Sequence, residues 1–307
     1  MALIDEGKVL IEVGLNEMAS KHENPNVPYG WQEVALDAVA CAEVGAGMIH
    51  FHARYDDGRQ AKTDDGIYRR AMAEIARFSD IVTFPTAFPL GGNLWEESEL
   101  PHHWALVDDP PIGAPLRIGA FDGFRIGPKP LLDVGTGCLL KRADDSLSEA
   151  SEPYELPGAI AEMLRRGLLP SICCYDLGDV RWTRLVAAAG LLPQPVRAQF
   201  QLFASYLTGP SATTASIDAM LAEWTTDGPL DAELEVVPYG VVDRSIYEAL
   251  LHHALERGLN IRVGLGDCPA AAPSATNAEL VEWAVGIAGS HGLTPATTTD
   301  VRRRFGF

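Results

Sequence analysis

The chain has 307 residues, of which 47% are apolar and 21% are charged, so it is long enough to bury a large core. Its 24 Lys and Arg residues against 42 Asp and Glu residues give a formal charge of −18, which disfavours binding to nucleic acid or to an anionic membrane. No apolar run approaches the ~18 residues of a membrane helix, and the first residues lack a secretory pattern. The five cysteines form no CxxC pair, so we expect reduced thiols and a cytoplasmic protein.

Short apolar runs alternate with stretches of helical spacing along the whole chain. The predicted strands are Lys8–Val13, Met48–His52, Ile81–Phe84, Leu131–Val134, Ser171–Tyr175, Ala198–Phe203, Leu234–Val237 and Asn260–Leu265. The predicted helices are Trp31–Val44, Asp64–Arg77, Ala159–Arg166, Val180–Ala189, Ser216–Trp224 and Ser245–Arg257. Apolar strands separated by amphipathic helices are typical of a parallel sheet covered by helices. Eight such units, with no GxGxxG after the first strand, predict an α/β fold: a (β/α)8 TIM barrel forming a single domain over residues 1–307.

One segment interrupts this alternation. Residues 85–130 carry eight prolines, which predicts an elaborated connection between the third and fourth strands. This connection either covers the mouth of the barrel or is a surface excursion without a role. Within it, Leu116–Ala120 is either an extra strand or the fourth strand itself, in place of Leu131–Val134.

The sharpest local signal for chemistry is a pair of histidines at the end of the second predicted strand. Side chains alternate along a strand, so His50 and His52 face the same side. The C-terminal ends of barrel strands are where active sites of this architecture are built, and neutral imidazole is a preferred zinc ligand. The pair therefore predicts a metal site. The alternative is two interior histidines satisfied by hydrogen bonds.

A zinc site of this kind needs a further protein ligand. None of the other six histidines ends a predicted strand, so a carboxylate must supply the third donor. Glu17 follows the first predicted strand and Asp267 follows the last, and these two strands are neighbours in a closed barrel. Either carboxylate could instead be an ordinary solvated loop residue.

Other polar residues near strand ends are weaker candidates. Arg262 shares a strand face with Gly264 and Gly266, and its permanent charge requires an anion, either a substrate group or a carboxylate inside the barrel. Thr86 and Thr136 follow the third and fourth predicted strands and could donate hydrogen bonds to a substrate carboxylate.

Short motifs spread over nearly the whole chain carry a family resemblance. They are Gly14-Leu15-Asn16, Asn24–Pro28, Ala42–Ala46, His50–Arg54, Asp56–Arg59, Asp133–Thr136, Arg166–Pro170, Tyr175–Gly178, Arg262–Asp267 and Asn277–Val281. With these motifs the sequence resembles the β-keto acid cleavage enzymes, bacterial zinc-dependent TIM barrels that condense a β-keto acid with acetyl-CoA. HxHAR combined with RVGLxD is the most specific part of the resemblance.

The resemblance implies roles for particular residues. His50 and His52 would be zinc ligands, Glu17 a carboxylate of the site, and Arg262 and Asp267 catalytic residues. Thr86 and Thr136 would contact the keto acid.

The resemblance also implies the reaction and its partners. Zinc would polarise the β-keto group, and the products would be acetoacetate and a new CoA ester. The phosphates of CoA need basic partners, for which a cluster after the second strand is available; the same residues could equally be solvated helix charges. A homo-oligomer is expected. The basic cluster comprises Arg54, Arg59, Lys62, Arg69 and Arg70.

The sequence departs from the family pattern at the metal site. The family's last strand motif normally reads RVGLED, with its Glu as a zinc ligand, whereas this chain has Gly266 there. Where the family usually has an acidic residue in the fifth strand, this chain reads Ser171-Ile172-Cys173-Cys174. Three outcomes are open: Glu17 or Asp267 replaces the lost ligand, the metal binds weakly, or the metal and the reaction are lost.

Two further functional hypotheses follow from these departures. One is a metal-dependent hydrolase that uses zinc-bound water. The other is a divergent barrel that merely binds a small carboxylate. We expect Gly266→Glu to tighten zinc binding, unless another group already fills the place.

Overall fold

The computed structural model describes residues 1–61, 64–86, 101–111, 113–122, 130–133, 136, 138–142, 150–205 and 209–307. The strands are β1 (Lys8–Val9), β2 (Ile11–Gly14), β3 (Met48–Phe51), β4 (Val82–Pro85), β5 (Ile118–Asp122), β6 (Leu131–Asp133), β7 (Cys138–Arg142), β8 (Ala150–Pro153), β9 (Leu169–Cys174), β10 (Val196–Phe203), β11 (Ala232–Tyr239), β12 (Asn260–Val263) and β13 (Thr294–Pro295). The helices are α1 (Gly30–Glu43), α2 (Asp65–Phe78), α3 (Pro101–Asp108), α4 (Gly158–Arg165), α5 (Leu177–Ala188), α6 (Thr214–Trp224), α7 (Arg244–Glu256), α8 (Asn277–Ser290) and α9 (Thr298–Phe305).

Eight strands form one parallel sheet that nearly closes into a barrel. Their order is β4-β3-β2-β12-β11-β10-β9-β5, and every neighbouring pair is parallel. Helices alternate with these strands along the chain. The predicted TIM-barrel class is therefore confirmed. In the part of the chain that the structure describes, no helix has both the length and the apolar character needed to cross a bilayer.

The fourth barrel strand is β5, so the first choice of Leu131–Val134 for this strand is wrong. Residues 131–133 form β6, which pairs antiparallel with β7 in a separate three-stranded sheet. All three residues of β6 are only half-buried, because this strand lies outside the barrel. A short apolar run predicts a strand but not the sheet it joins. The expected long connection between β4 and β5 contains α3, and residues 87–100 lie outside the described residues.

The two-residue period of the strands separates two environments. Odd-numbered residues of β2 pack outward with the helices, and Ile11 and Val13 belong to that larger core. Leu10, Met48 and Val82 belong to a second buried cluster on the inner side of the strands. The same period places Glu12, Gly14 and His50 on the inner side, above that apolar cluster.

Asn277 ties three elements together beneath the end of the barrel. Its side-chain oxygen accepts a hydrogen bond from the backbone N–H of Leu265 at 2.7 Å. Its amide nitrogen donates to the carbonyl of Leu15 at 3.0 Å and to Asp37 at 2.6 Å. The side chain is fully buried. It therefore links the loops that follow β2 and β12 to helix α1.

We expect Asn277→Ala to lower the free energy of unfolding by about 1–3 kcal/mol, because buried backbone groups lose their partner. Urea denaturation measures the change. The matched control is Asn26→Ala, since Asn26 is exposed and donates to backbone carbonyls at the surface. This control should shift stability by less than about 0.5 kcal/mol. An equal decrease in the free energy of unfolding in both variants would contradict a stabilising role for the buried Asn277 hydrogen bonds.

Candidate functional site

A buried carboxylate lies between two imidazoles at the C-terminal end of the barrel. The Nε2 atom of His50 is 3.0 Å from Oε1 of Glu17, and Nε2 of His52 is 2.7 Å from Oε2. His50 lies within β3, His52 follows its end, and Glu17 follows β2. One donor atom from each residue lies within 4.8 Å of the others, and all three residues are buried. The three side chains thus form a compact donor triad.

The hydrogen-bond partner of Nδ1 in each imidazole determines whether Nε2 presents a hydrogen or a lone pair to Glu17. Nδ1 of His50 is 2.9 Å from the carbonyl of Phe84, and Nδ1 of His52 is 3.2 Å from Oε1 of Gln60. Both partners are acceptors, so Nδ1 carries the hydrogen and Nε2 of a neutral ring points a lone pair at Glu17. Two lone pairs facing a carboxylate need a positive charge between them, either protons or a bound cation. Two imidazole nitrogens and one carboxylate match the donor set of a catalytic zinc site.

Arg54 holds the loop that carries Glu17. Its guanidinium donates to the backbone carbonyls of Ala19 at 2.6 Å, Asn16 at 2.9 Å and Glu17. Glu17 has a φ of 30°, in the left-handed region that non-glycine residues rarely adopt. Capturing three carbonyls of one turn compensates for this strained backbone. Arg54 is itself buried, and its guanidinium lies 5.3 Å from the ring of Tyr29.

Two amide side chains connect the Glu17 loop to the histidine strand. Asn16 accepts from the backbone N–H of His52 at 2.9 Å and donates to its carbonyl at 3.0 Å. Gln60 faces Nδ1 of His52 with its oxygen and donates from its nitrogen to the carbonyl of Glu17 at 2.8 Å. Asn16 therefore fixes the backbone of His52 relative to the Glu17 loop, and Gln60 fixes the imidazole of His52 relative to the same loop.

Arg262 occupies the centre of a carboxylate cluster. Its Nη1 donates to Glu12 at 3.1 Å, and its Nη2 donates to Glu17. Asp267 accepts from Nε at 3.0 Å and from Nη2 at 2.8 Å, forming a two-point pair. In this structure the guanidinium therefore has carboxylate partners inside the barrel. Its charge links the triad to Asp267.

Three glycines at the strand ends provide space for the side chains of this cluster, because they lack a Cβ atom. A Cβ on Gly14 would lie 2.7 Å from Asp267 and 2.8 Å from Nε of Arg262. Gly264 has a φ of 151° and lies against the backbone of Gly14. A Cβ on Gly266 would lie 2.8 Å from Cγ and from the backbone nitrogen of Glu17, and 2.8 Å from the carbonyl oxygen of Gly14. The space beside Gly266 is thus already filled by Glu17.

Burial and neighbouring charges set the protonation of the cluster. Burial by itself raises the pKa of Glu17, but His52, His50 and Arg262 outweigh it and hold that pKa well below its usual range. Burial also lowers the pKa of His50, which favours the neutral ring, although Glu17 opposes this. Burial raises the pKa of Asp267 to about 7, against the opposing charge of Arg262. A carboxyl group in that range can exchange a proton at neutral pH.

The two threonines expected to contact a substrate lie in different places. Thr86 follows β4, and its backbone N–H donates to the carbonyl of Phe51 at 3.0 Å, beside the histidine strand. Thr136 follows β6, and its hydroxyl donates to Asp133 at 2.8 Å. Thr136 therefore follows a strand of the separate sheet rather than the end of a barrel strand.

The basic residues expected to bind CoA lie in different environments. Arg59 and Arg70 are exposed, and Arg59 pairs with Asp57 at 2.7 Å. Arg69 donates to backbone carbonyls in and directly after α3. Lys62 lies outside the described residues.

A polar cluster inside the barrel was not predicted from the sequence. Arg197 donates to Glu12 and, at 3.1 Å, to Glu235, and all three side chains are fully buried. Gln199 donates to Glu12 at 3.1 Å and to Glu235 at 2.5 Å. The signal was present in β10, where arginine and glutamine alternate with apolar residues. Gln60 gave no such signal, because it lies in a loop eight residues beyond His52.

Comparison with known proteins places the chain in a family. The family model described as "beta-keto acid cleavage enzyme" matches residues 8–307. The chain therefore belongs to the β-keto acid cleavage enzyme family.

Characterised relatives are distant but match over most of their length. The chain is 23% identical over 296 residues to a 3-keto-5-aminohexanoate cleavage enzyme of Fusobacterium nucleatum, covering 92% of each chain. It is 26% identical over 301 residues to a 3-dehydrocarnitine:acetyl-CoA trimethylamine transferase of Rhizobium meliloti, covering 95% of this chain and 93% of the relative. Among solved structures, apo ObcA matches with a TM-score of 0.65 at 14% identity. That match covers 92% of this chain and 66% of ObcA, and it supports the barrel fold.

We expect Gly266→Ala to destabilise the protein by about 1–3 kcal/mol, the usual cost of forcing a methyl group into a packed site. A Glu side chain at position 266 would meet the same obstacle, because Glu17 already occupies the space beside Gly266. Gly286→Ala in α8 is the matched control, because a Cβ there meets nothing within 4 Å. The control should be neutral or stabilising by up to about 1 kcal/mol. Thermal unfolding of both variants measures the difference, and an unaffected Gly266→Ala protein would refute the packing argument.

Proposed function

We propose that this protein is a zinc-dependent β-keto acid cleavage enzyme that exchanges acyl groups between a β-keto acid and acetyl-CoA. The observation that carries the proposal is the triad of Glu17, His50 and His52, with both Nε2 atoms turned towards the carboxylate. Membership of the β-keto acid cleavage enzyme family supports the reaction class. The names of the relatives supply a 3-keto acid and acetyl-CoA as the two kinds of substrate.

The triad provides the ligands for the metal. His50 and His52 would bind it through Nε2 while their Nδ1–H groups stay hydrogen-bonded, and Glu17 would supply the anionic ligand in place of a residue at position 266. When bound, zinc supplies Lewis-acid polarisation of the keto oxygen. With its carboxylate bound to the metal, Glu17 would no longer accept from Arg262, and that N–H of Arg262 would be available to an anionic substrate group.

The products define which bonds change. A β-keto acid R–CO–CH₂–COO⁻ and acetyl-CoA give acetoacetate and R–CO–SCoA. The CH₂–COO⁻ unit leaves R–CO and joins the acetyl group, while the CoA sulfur joins R–CO. The carbon between the keto and carboxylate groups must therefore lose a proton before it attacks the thioester.

Asp267 is the proposed acceptor of that proton. Burial raises its pKa to about 7, so it can accept a proton and release it within one turnover. Its two-point pair with Arg262 fixes the direction of the carboxyl group. Thr86, beside the histidine strand, is the proposed donor to the carboxylate of the keto acid.

The CoA arm is proposed to lie on the β3 and α2 side of the barrel mouth. Exposed Arg59 and Arg70 are the proposed partners of its phosphates. Arg54 has a different proposed role from substrate binding, because it donates to three backbone carbonyls of the Glu17 turn.

Labelled acetyl-CoA tests the reaction. With zinc-loaded protein, a β-keto acid and acetyl-CoA carrying ¹³C in its acetyl group, the label should appear in acetoacetate and not in the new CoA ester. Formation of acetate and R–COO⁻ without acetyl-CoA would indicate the hydrolase alternative. Binding of β-keto acids by zinc-loaded protein without any turnover, over a broad panel, would indicate a divergent carboxylate-binding barrel.

Removing the carboxylate of Glu17 tests the ligand set directly. We expect Glu17→Gln to weaken zinc binding at least about 10–100-fold, the loss already typical of groups that only support metal ligands. Calorimetric titration with zinc measures the affinity, and the rise in melting temperature on adding zinc should disappear with it. Glu248→Gln, an exposed carboxylate on α7, is the control and should bind zinc like the unmodified protein. Unchanged affinity in Glu17→Gln would leave Asp267 as the third ligand.

A further inference from the structure

Three aromatic rings stack in a row along one side of the barrel mouth. Tyr175 directly follows β9, Phe203 ends β10 and Tyr239 ends β11. The centroids of Tyr175 and Phe203 are 5.8 Å apart with planes 14° apart, and those of Phe203 and Tyr239 are 5.3 Å apart with planes 8° apart. The strands that carry them are consecutive in the sheet, so we call these three rings the aromatic row.

The aromatic row begins beside the metal-binding triad. The guanidinium carbon of Arg262 lies 5.8 Å from the centroid of Tyr239. Burial raises the pKa of the Tyr239 hydroxyl, Arg262 opposes this, and the carboxylates of Glu17 and Asp267 raise it further. A substrate held at the triad can therefore extend past Arg262 onto the row.

Stacking covers both faces of Phe203, so this ring presents its edge to a ligand. Because β10 lies between β9 and β11, Phe203 has Tyr175 on one face and Tyr239 on the other. The Arg262 guanidinium lies over the ring of Tyr239. Aromatic faces carry negative charge and edges carry positive charge. A row of edges next to a guanidinium therefore disfavours a cation, whereas it packs well against an apolar group or the face of another ring.

The carboxylates closest in sequence to Tyr175 have backbone partners. Asp179 accepts from the backbone N–H of Tyr175 at 2.9 Å, and Asp176 accepts from that of Asp179 at 2.8 Å, which starts α5. Both carboxylates thus contribute to the local structure at the start of this helix.

The backbone around Phe203 holds the row in place. Its N–H donates to the carbonyl of Pro210 at 2.9 Å, and its carbonyl accepts from Ala212 at 3.1 Å. A Cβ on Gly209 would lie 2.8 Å from two atoms of the Phe203 ring and 2.8 Å from the carbonyl oxygen of Tyr175. The ring therefore packs directly against backbone and has little freedom to turn its face to a ligand.

The phosphates of CoA and the R group of the β-keto acid are expected to bind on different sides of the barrel mouth. The exposed arginines proposed for CoA lie after β3, on the far side of the triad from β11. The row lies on β9, β10 and β11, beyond Arg262. This leaves the row for the R group of the β-keto acid.

We propose that the aromatic row binds the R group of the β-keto acid and selects an apolar, preferably aromatic, group over a cationic one. This inference rests on the proposed function for the identity of the substrate. It assigns Phe203 and Tyr175 as specificity-determining residues. Neither has a role in the metal site or in the proton transfer.

The experiment compares β-keto acids that share the reacting half and differ in R. The probes are 3-oxo-3-phenylpropanoate, 3-oxohexanoate and 5-amino-3-oxohexanoate, whose amino group is cationic at neutral pH. We expect kcat/KM with zinc and acetyl-CoA to be at least tenfold higher for the phenyl compound than for the amino compound. Calorimetric binding of each acid to zinc-loaded protein without acetyl-CoA should give the same order of affinity.

Two variants test whether the rings cause the selection. Phe203→Leu and Tyr175→Leu remove one ring each, and Tyr175 is only half-buried, so this second variant tests the row even if the first fails to fold. Each should reduce the preference for the phenyl compound at least threefold. Phe78→Leu, at an exposed position at the end of α2, is the control and should leave the preference unchanged.

The two readouts separate this inference from the proposed function. Preferential binding of the phenyl compound that is lost in the variants, without any turnover, supports the row and refutes the reaction. Turnover that favours the amino compound, or a preference unchanged in the folded variants, overturns the row and leaves the reaction standing. Failure to bind any of the three acids overturns both.

Discussion

The site depends on how the Glu17 carboxylate is held between two imidazoles and Arg262. An anion in this position is costly to bury, and the surrounding nitrogen atoms offset that cost. Its backbone is strained and requires the Arg54 guanidinium, which holds the carbonyls of the same turn. Without this loop conformation the carboxylate would not face the imidazoles, and the donors would not form a single set.

Because β2 and β12 are neighbours, a residue in the loop after β2 can occupy the position of a residue in the loop after β12. Arg262 pairs in register with Glu12, so the loops after these strands emerge side by side. The metal ligand that the family resemblance implies at position 266 is therefore replaceable from the neighbouring loop, as proposed for Glu17, without moving a strand. The absence of a side chain at Gly266 is part of this arrangement, because Glu17 fills that space.

The barrel mouth has two chemically different halves. Charged groups and the triad of Glu17, His50 and His52 lie at the ends of β3, β2 and β12, while stacked rings lie at the ends of β9, β10 and β11. Arg262 stands at the boundary, with carboxylates around its nitrogen atoms and the ring of Tyr239 below its carbon. Such a division suits a substrate that reacts at one end and is recognised at the other.

Local periodicity was enough to predict the barrel and the common side of His50 and His52, because side-chain direction along a strand depends only on position in that strand. It was not enough to choose between Glu17 and Asp267, since both follow neighbouring strands. Glu17 is the proposed ligand because its carboxylate lies 3.0 and 2.7 Å from the Nε2 atoms of His50 and His52. This position depends on the positive φ of Glu17 and on the space beside Gly266, which are created by contacts between distant parts of the chain. The fourth strand was misplaced for the same reason: the run at Leu131 predicts an extended segment, but strand pairing determines which sheet it joins.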